Sequence, residues 1–377
     1  DETCTVDMSS FTWDIAHVAT SDERVHLYTC PVVGDLDGDG DLEIVAPNRP
    51  NLEANNQHAH VSDAILIFNS ELKLKAKINV PPMDTYVIAG LTIADVDPVK
   101  NDGPEILVAT GMHYQSVAGY VPAVAGDPFK LYCYYYNKKN NKFELKWRSS
   151  QQFLATVAGA AGAITQMGAA ISVSDIDHDG LVEILVGERI FSGGDEDGNN
   201  GGRLLATLPS IKHLITDTEA GYGRGEYRVG VSAYARVPMF ADVDGDGIEE
   251  VVAGNAVYDI SVNHSNSALG SATLSKYHST MYDGFTSVAD LNGDGILDIV
   301  TVGKGRTTYY TKTRLYGWAQ STAGTLFFVD TPEFLDVGMS RSWGSRAFIG
   351  DINGNGILDI ALTSAKKLHA WEYNHSF

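Results

Sequence analysis

The chain has 377 residues, 44% of them hydrophobic and 10% aromatic, so it can bury a large core and global disorder is excluded. Its 48 Asp and Glu against 27 Lys and Arg give a formal charge of −21, which disfavours nucleic acid as a partner because phosphates would be repelled. No stretch approaches the roughly 20 apolar residues needed to cross a bilayer, so membrane insertion is not expected.

The N-terminal segment holds the first predicted strand, at residues 10–18, where large apolar side chains fall on one face. Cys4 and Cys30 bracket this segment, and a disulfide between them would fit an exported protein, with Cys133 as a buried thiol. Three inert thiols are the alternative.

Six segments along the rest of the chain repeat one pattern, an acidic loop followed by a short apolar strand. The intervals between their first aspartates run from 48 residues, between Asp242 and Asp290, to 80 residues, between Asp95 and Asp175. Such intervals suit four short strands with their loops, which is the size of a propeller blade. The six first aspartates are Asp35, Asp95, Asp175, Asp242, Asp290 and Asp351.

The second repeat shows the four strands of a blade most clearly, at residues 88–94, 105–109, 130–136 and 143–148. The last repeat supplies only three, at residues 346–350, 357–362 and 368–373. The segment 10–18 could complete that blade and close the ring, which removes exposed sheet edges. The sequence therefore predicts an all-β chain, residues 1–377, folded as one β-propeller domain of six four-stranded blades. Seven blades are the alternative if one lacks the acidic signature.

The acidic loops carry oxygen-bearing side chains at positions 1, 3, 5 and 9, and position 7 can offer its backbone carbonyl. Such a set suits Ca²⁺, which takes six to eight oxygen ligands, and Gly at position 6 permits the positive φ of a sharp turn. An EF-hand is disfavoured because the flanking helices and the Glu at position 12 are missing. The alternative is that Asp and Gly simply form ordinary β-turns. Six repeats of the same pattern argue against this alternative.

The loops are therefore expected to bind up to six Ca²⁺ ions. The second loop is two residues longer than the others, which leaves its geometry open. The sixth is expected to bind most weakly, because two of its ligands are Asn. The expected ligands are Asp35, Asp37, Asp39, Asp41 and Glu43; Asp95, Asp97, Asp102 and Glu105; Asp175, Asp177, Asp179, Leu181 and Glu183; Asp242, Asp244, Asp246, Ile248 and Glu250; Asp290, Asn292, Asp294, Ile296 and Asp298; and Asp351, Asn353, Asn355, Ile357 and Asp359.

The repeated Asp-x-Asp-x-Asp-Gly-x-x-Asp/Glu pattern resembles the FG-GAP/VCBS repeats of integrin α-subunit propellers and of many secreted proteins. The resemblance implies a β-propeller with Ca²⁺ in the loop between the first two strands of each blade, where the ions are usually structural. The Phe-Gly and Gly-Ala-Pro elements of the integrin version are not clearly present, which favours the broader VCBS-like group. Adhesins, lectins and rhamnogalacturonan lyases occur in this family, so the fold does not decide the function.

Catalytic and cofactor motifs are missing from the sequence: it has no nucleophile elbow, His-Glu-x-x-His pair, phosphate-binding loop or Cys-x-x-Cys pair. The long inserts after the second strands are expected on the face opposite the calcium loops, where they can bind a ligand. Candidate contacts to a sugar or peptide are His113, Tyr114, Tyr120 and Arg189, with ordinary solvated loop residues as the alternative.

The expected function is that of a secreted or cell-surface calcium-binding propeller, an adhesion or recognition module for an extracellular glycan or protein ligand. Catalysis is not expected. Two alternatives stay open: a polysaccharide lyase resembling rhamnogalacturonan lyases, and a structural scaffold module of a larger surface protein.

Overall fold

The computed structural model describes residues 17–26, 30–50, 61–84, 90–97, 103–110, 130–153, 170–195, 199–209, 238–253, 256–264, 269–277, 284–291, 293, 295–305, 312–320, 326–330, 347–364 and 367–372. Within these residues the chain forms 23 β-strands and no helix, which confirms the all-β prediction. Accordingly, the described residues contain no helix that could span a membrane.

The strands form antiparallel sheets of the kind found in propeller blades, each built from strands that follow one another in the sequence. Sheet 1 contains β1 (Val32–Gly34), β2 (Glu43–Pro47), β3 (Val61–Phe68) and β4 (Leu74–Asp84). Sheet 2 contains β5 (Gly90–Ala94), β6 (Glu105–Ala109), β7 (Leu131–Asn137) and β8 (Lys142–Arg148). Sheet 3 contains β9 (Ile171–Ser174), β10 (Glu183–Val186), β11 (Arg189–Ser192) and β12 (Leu204–Thr207).

Three further sheets follow in the second half of the chain. Sheet 4 contains β13 (Met239–Ala241), β14 (Glu250–Ala253), β15 (Ala256–Ser261) and β16 (Ser271–Tyr277). Sheet 5 contains β17 (Gly284–Ala289), β18 (Asp298–Gly305), β19 (Lys312–Gln320) and β20 (Leu326–Asp330). Sheet 6 contains β21 (Phe348–Gly350), β22 (Asp359–Ser364) and β23 (Lys367–Glu372).

The predicted strands of the second and sixth repeats are confirmed, with ends shifted by one or two residues. Sheet 6 has three strands among the described residues, as expected. The ring-closing strand predicted at residues 10–18 stays a prediction, because residues 10–16 lie outside the described part of the chain; residues 17 and 18 are described and belong to no strand. Cys30 is exposed with a free thiol, whereas Cys4 lies outside the described residues, so the Cys4–Cys30 bond stays a prediction.

The hydrophobic core is divided into clusters that lie between consecutive sheets. The strand β6 shows why, because its alternate side chains pack on opposite faces. Ile106 and Val108 join the cluster shared with sheet 1, whereas Leu107 and Ala109 join the cluster shared with sheet 3. An apolar strand of this kind is buried on both faces, as in stacked blades.

The acidic loops of neighbouring sheets lie side by side. In the loop between β13 and β14, the Glu249 amide donates a 3.1 Å hydrogen bond to the Ile176 carbonyl in the loop between β9 and β10. A Cβ on Gly103, between β5 and β6, would lie 3.2 Å from the Leu36 carbonyl oxygen between β1 and β2. The first strands are also neighbours, since β5 contacts both β1 and β9. The sheets are therefore stacked with their acidic loops at the same end.

Candidate metal centres

Each acidic loop connects the first and second strands of its sheet, and we number the loops 1 to 6 accordingly. This is the location that the resemblance implied. The Gly at position 6 of loop 1, Gly40, has a φ of 92°, as the turn prediction required. Loop 3 carries His178 instead of Gly at position 4, and this residue adopts a left-handed φ of 59°.

The carboxylate at position 9 is buried in every loop and accepts a hydrogen bond from the backbone amide at position 2, over 2.8–3.1 Å. The contact in loop 2, from the Val96 amide to Glu105, identifies Glu105 as the position-9 residue of the longer loop. One oxygen of this carboxylate therefore fixes the loop. The six pairs are Leu36–Glu43, Val96–Glu105, Ile176–Glu183, Val243–Glu250, Leu291–Asp298 and Ile352–Asp359.

The aspartate at position 1 holds the turn from inside. In loop 6, Asp351 accepts from the amides of Gly354, Asn355 and Gly356 over 2.7–3.0 Å, and loops 1, 3, 4 and 5 show the same type of contact. The residue at position 5 accepts from the amide at position 7, as Asp246 does from Ile248 over 2.8 Å. The loops are thus shaped by their own hydrogen bonds, and the turn interpretation and the metal interpretation are compatible.

Loop 4 presents one of the three acidic groups among the described residues that could hold a metal ion; the other two are in loops 1 and 3. Carboxylate oxygens of Asp242, Asp244 and Asp246 lie within 4.8 Å of one another. Burial raises the pKa of Glu250 to about 7, and these three aspartates add to the rise while the Val243 amide opposes it. Within the described part of the chain, Asp242, Asp246 and Glu250 form no ion pair with a basic side chain. A hard cation would relieve this repulsion.

A further acidic residue lies near loop 4, on the third strand of its sheet. Asp259 raises the pKa of Asp244, although burial of Asp244 is the larger cause. In sheet 6 the corresponding strand carries Glu372, which pairs with Asp359 in the sheet register and accepts from the side-chain amides of Asn353 and Asn355. Loops 4 and 6 therefore each have one more carboxylate nearby than the loop motif itself predicts.

Loops 1 and 2 differ, because each receives a lysine from the fourth strand of its own sheet. Lys75 Nζ lies 2.6 Å from Asp37 Oδ2 and 2.9 Å from Glu43 Oε1. Lys146 Nζ lies 2.5 Å from Asp97 Oδ2 and 2.6 Å from Glu105 Oε1. Both lysines therefore contact the position-3 and position-9 ligands expected for Ca²⁺.

Loop 3 receives a histidine from the next sheet. Nε2 of His264, which follows β15, contacts Oε1 of Glu183, and Nδ1 lies 3.3 Å from the Ser192 hydroxyl. The Arg203 guanidinium holds this segment in place by donating to the His264 carbonyl over 2.8 Å. Asp175, Asp177 and Glu183 still have carboxylate oxygens within 4.8 Å of one another.

The basic residues of loops 1 to 3 were missed by the sequence reasoning. Lys75 and Lys146 come from the far strand of each sheet, at different distances along the chain from their loops, and His264 comes from another sheet. The loop motif carries no signal for them, because their position is set by strand pairing.

Several expected site residues remain untested. Asp102, Asn292 and Asp294 lie outside the described residues, as do His113, Tyr114 and Tyr120. The carbonyls of Asp41, Leu181, Ile248, Ile296 and Ile357 stay predicted ligands. Arg189 begins β11, at the end of sheet 3 away from the acidic loop, and its Nη1 donates to the Gln152 carbonyl. Burial lowers the pKa of Arg189, and its Nε is buried without a partner among the described residues.

A comparison with protein-family models matches residues 290–362 to the family described as FG-GAP-like repeat. This stretch runs from the first residue of loop 5 into β22. The chain therefore contains an FG-GAP-like repeat, and the resemblance seen in the sequence is confirmed there. The curated proteins contain no match to this chain.

Solved structures share a distant likeness with the chain. The Vibrio cholerae biofilm matrix protein Bap1 has a TM-score of 0.42 and 17% identity, and the match covers 82% of this chain and 40% of Bap1. A lectin from Agrocybe aegerita that recognises non-reducing terminal N-acetylglucosamine has a TM-score of 0.30 and 14% identity, over 83% of this chain and 93% of the lectin. Saccharomyces cerevisiae Sqt1 has a TM-score of 0.31 and 10% identity, over 94% and 97%. At TM-scores this low, the three likenesses support no further conclusion about this chain.

Proposed function

We propose that residues 1–377 form one six-bladed β-propeller, braced by Ca²⁺ and closed by residues 10–18, that recognises an extracellular glycan or protein as a secreted or cell-surface module. The six consecutive sheets, the shared clusters between them and the three-stranded sixth sheet support the ring. Closure by an N-terminal strand would give sheet 6 its fourth strand and leave no open edge.

Calcium is the proposed cation because the loop ligands are carboxylate, amide and carbonyl oxygens. Hard oxygen donors in this number suit Ca²⁺, whereas the tight octahedral geometry of Mg²⁺ suits sites with fewer protein ligands. The bound ion would supply positive charge to the carboxylates at positions 1, 3, 5 and 9. The chain itself supplies the turn, held by the position-1 and position-9 hydrogen bonds described above.

The observation that carries the recognition role is the separation of the two ends of the sheets. The acidic loops join first strands to second strands at one end. The connections from second to third strands lie at the other end, and they are long in two adjacent sheets, spanning residues 48–60 in sheet 1 and 110–130 in sheet 2. In sheet 3 the same connection is only residues 187–188. Binding sites are commonly formed by loops of variable length on a rigid scaffold. The connections from second to third strands would be such loops, and the end with the acidic loops would be the rigid part.

A binding array tests this function directly. The labelled protein is applied to immobilised glycans and extracellular-matrix proteins, once in millimolar Ca²⁺ and once in chelator. We expect retention on one ligand class in Ca²⁺ and its loss in chelator. A variant with His113, Tyr114 and Tyr120 changed to Ala should lose retention while keeping the Ca²⁺-dependent melting temperature. Breakdown of an immobilised polysaccharide would replace this proposal with an enzyme, and retention nowhere would favour a scaffold.

A further inference from the structure

The fourth strands of sheets 1 to 4 carry a β-bulge at one equivalent place. In each sheet, the second-strand residue after position 9 pairs with one third-strand residue, for example Ile106 with Tyr134 in sheet 2 and Val251 with Tyr258 in sheet 4. At that third-strand residue, the register with the fourth strand shifts by one residue. The extra residue on the fourth strand is the bulge residue. It is Lys75 in sheet 1, Lys146 in sheet 2, Leu205 in sheet 3 and Ser275 in sheet 4.

A bulge re-aims the side chain of its extra residue, and in sheets 1 and 2 the re-aimed side chain is an ammonium placed in the acidic loop. In sheet 3 the bulge residue Leu205 is instead buried in the cluster shared with sheet 4. In sheet 4 it is the exposed Ser275. The same backbone feature thus places a lysine in the loops of sheets 1 and 2 and no basic side chain in those of sheets 3 and 4.

The contacts of Lys146 are those of a cation at the centre of loop 2. Its ammonium bridges Asp97 and Glu105, whose side chains are both fully buried, and only 13% of the Lys146 side chain is exposed. It also lies 5.5 Å from the centre of the Tyr135 ring, a favourable cation–π distance. A calcium ion and this ammonium would need the same two carboxylate oxygens.

We propose that Lys146 is the built-in counter-ion of loop 2 and that this loop binds no Ca²⁺, so the chain holds fewer than the six ions that its motifs predict. The inference rests on the proposed calcium binding of the other loops. Lys75 occupies the same position in loop 1 but is less enclosed, because 32% of its side chain is exposed against 13% of Lys146. Loop 2 is therefore the loop in which the lysine is most fully enclosed by the carboxylates.

Exchange of the two bulge residues tests the proposal. Lys146→Ser gives sheet 2 the bulge residue of sheet 4, and Ser275→Lys gives sheet 4 that of sheet 2. Lys142→Ser is the matched control, since Lys142 lies on the same strand, is 62% exposed and pairs only with Glu144 among the described residues. The probe is Ca²⁺ alone, and bound ions per chain are counted by native mass spectrometry after dialysis against saturating Ca²⁺.

We expect one more ion than wild type in Lys146→Ser, one fewer in Ser275→Lys and no change in Lys142→Ser. A folded Lys146→Ser protein with the wild-type count would overturn the inference. If Lys146→Ser lacks a cooperative melting transition, Ser275→Lys decides, because an unchanged count there would also overturn it. Ion binding by no protein of the set would refute the calcium proposal and this inference together, whereas ion binding by the wild type with no gain in Lys146→Ser would refute this inference alone.

Discussion

Sheets 2 and 4 share the same acidic loop but place side chains of opposite charge beside it. In both, the position-9 glutamate accepts from the position-2 amide over 3.0–3.1 Å, and the fourth strand has a bulge at the same place. Sheet 2 adds Lys146 to its loop, whereas sheet 4 adds the nearby Asp259. The comparison teaches that the same loop backbone occurs with and without a basic side chain from its own sheet, so in sheet 4 the charge of the carboxylates has to be balanced from elsewhere.

The strongest test of the comparison is the removal of the internal cation from sheet 2. Lys146→Met keeps the aliphatic stem but leaves Asp97 and Glu105 buried without their ammonium. Losing one partner of a buried ion pair costs about 3–5 kcal/mol, so we expect a loss of that size in the free energy of unfolding. Urea unfolding in chelator measures it.

The control for this experiment is Lys142→Met, on the same strand. Its ion pair with Glu144 is exposed, and exposed pairs contribute about 0.2–1 kcal/mol. If Lys146→Met were no more costly than Lys142→Met, the ammonium would not balance the loop, and sheets 2 and 4 would not differ in the way described.

The next test concerns the external cation of sheet 4. At a Ca²⁺ concentration 100 times its Kd, one site stabilises the folded state by about 2.7 kcal/mol. Asp246→Asn removes a charge from loop 4 but keeps the side-chain oxygen that accepts from the Ile248 amide. We expect the apo protein to melt at or slightly above the wild-type Tm, because one repelling charge is gone, and the Ca²⁺-dependent rise in Tm to shrink by one site. Asp22→Asn, at an exposed position outside the loops, should leave that rise unchanged, and an equal response of the two variants would argue against a metal in loop 4.

The pH dependence of the apo protein gives a third test. The pKa of Glu250 rises from 4.5 to about 7 on folding, so the folded state binds its proton more tightly than the unfolded chain does. This contribution is fully present below pH 4.5 and is lost as the pH rises through about 7. We expect apo stability to fall across that window by roughly 1–2 kcal/mol, less than an unscreened shift would give.

Two conditions should flatten this fall. Glu250→Gln removes the titrating group, and saturating Ca²⁺ holds the carboxylate ionised. Unfolding free energies measured from pH 4 to pH 8 would show both effects as smaller slopes than the apo wild-type slope. An apo slope that neither the substitution nor Ca²⁺ alters would mean that Glu250 does not titrate with the folded state.

The parts of this arrangement that the sequence predicted are the local ones. The loop motif located each turn, and the apolar runs located strands such as β6, because both depend on neighbours in the chain. The basic residues of loops 1 to 3 could not be predicted, since Lys75 and Lys146 reach their loops through strand pairing and a bulge, and His264 comes from another sheet.

The smallest expected effect separates the two lysines from each other. Lys75→Met should cost about 1 kcal/mol in chelator, less than Lys146→Met, because 32% of the Lys75 side chain is exposed against 13% of Lys146, so water screens its ion pairs more strongly. In Ca²⁺ the same variant should be at least as stable as wild type, since the ion then meets no competing ammonium at Asp37 and Glu43. Urea unfolding of both lysine variants, with and without Ca²⁺, measures this difference. If Lys75→Met lost as much stability as Lys146→Met and Ca²⁺ did not restore it, Lys75 would neutralise loop 1 as Lys146 neutralises loop 2. Loop 1 would then also bind no Ca²⁺.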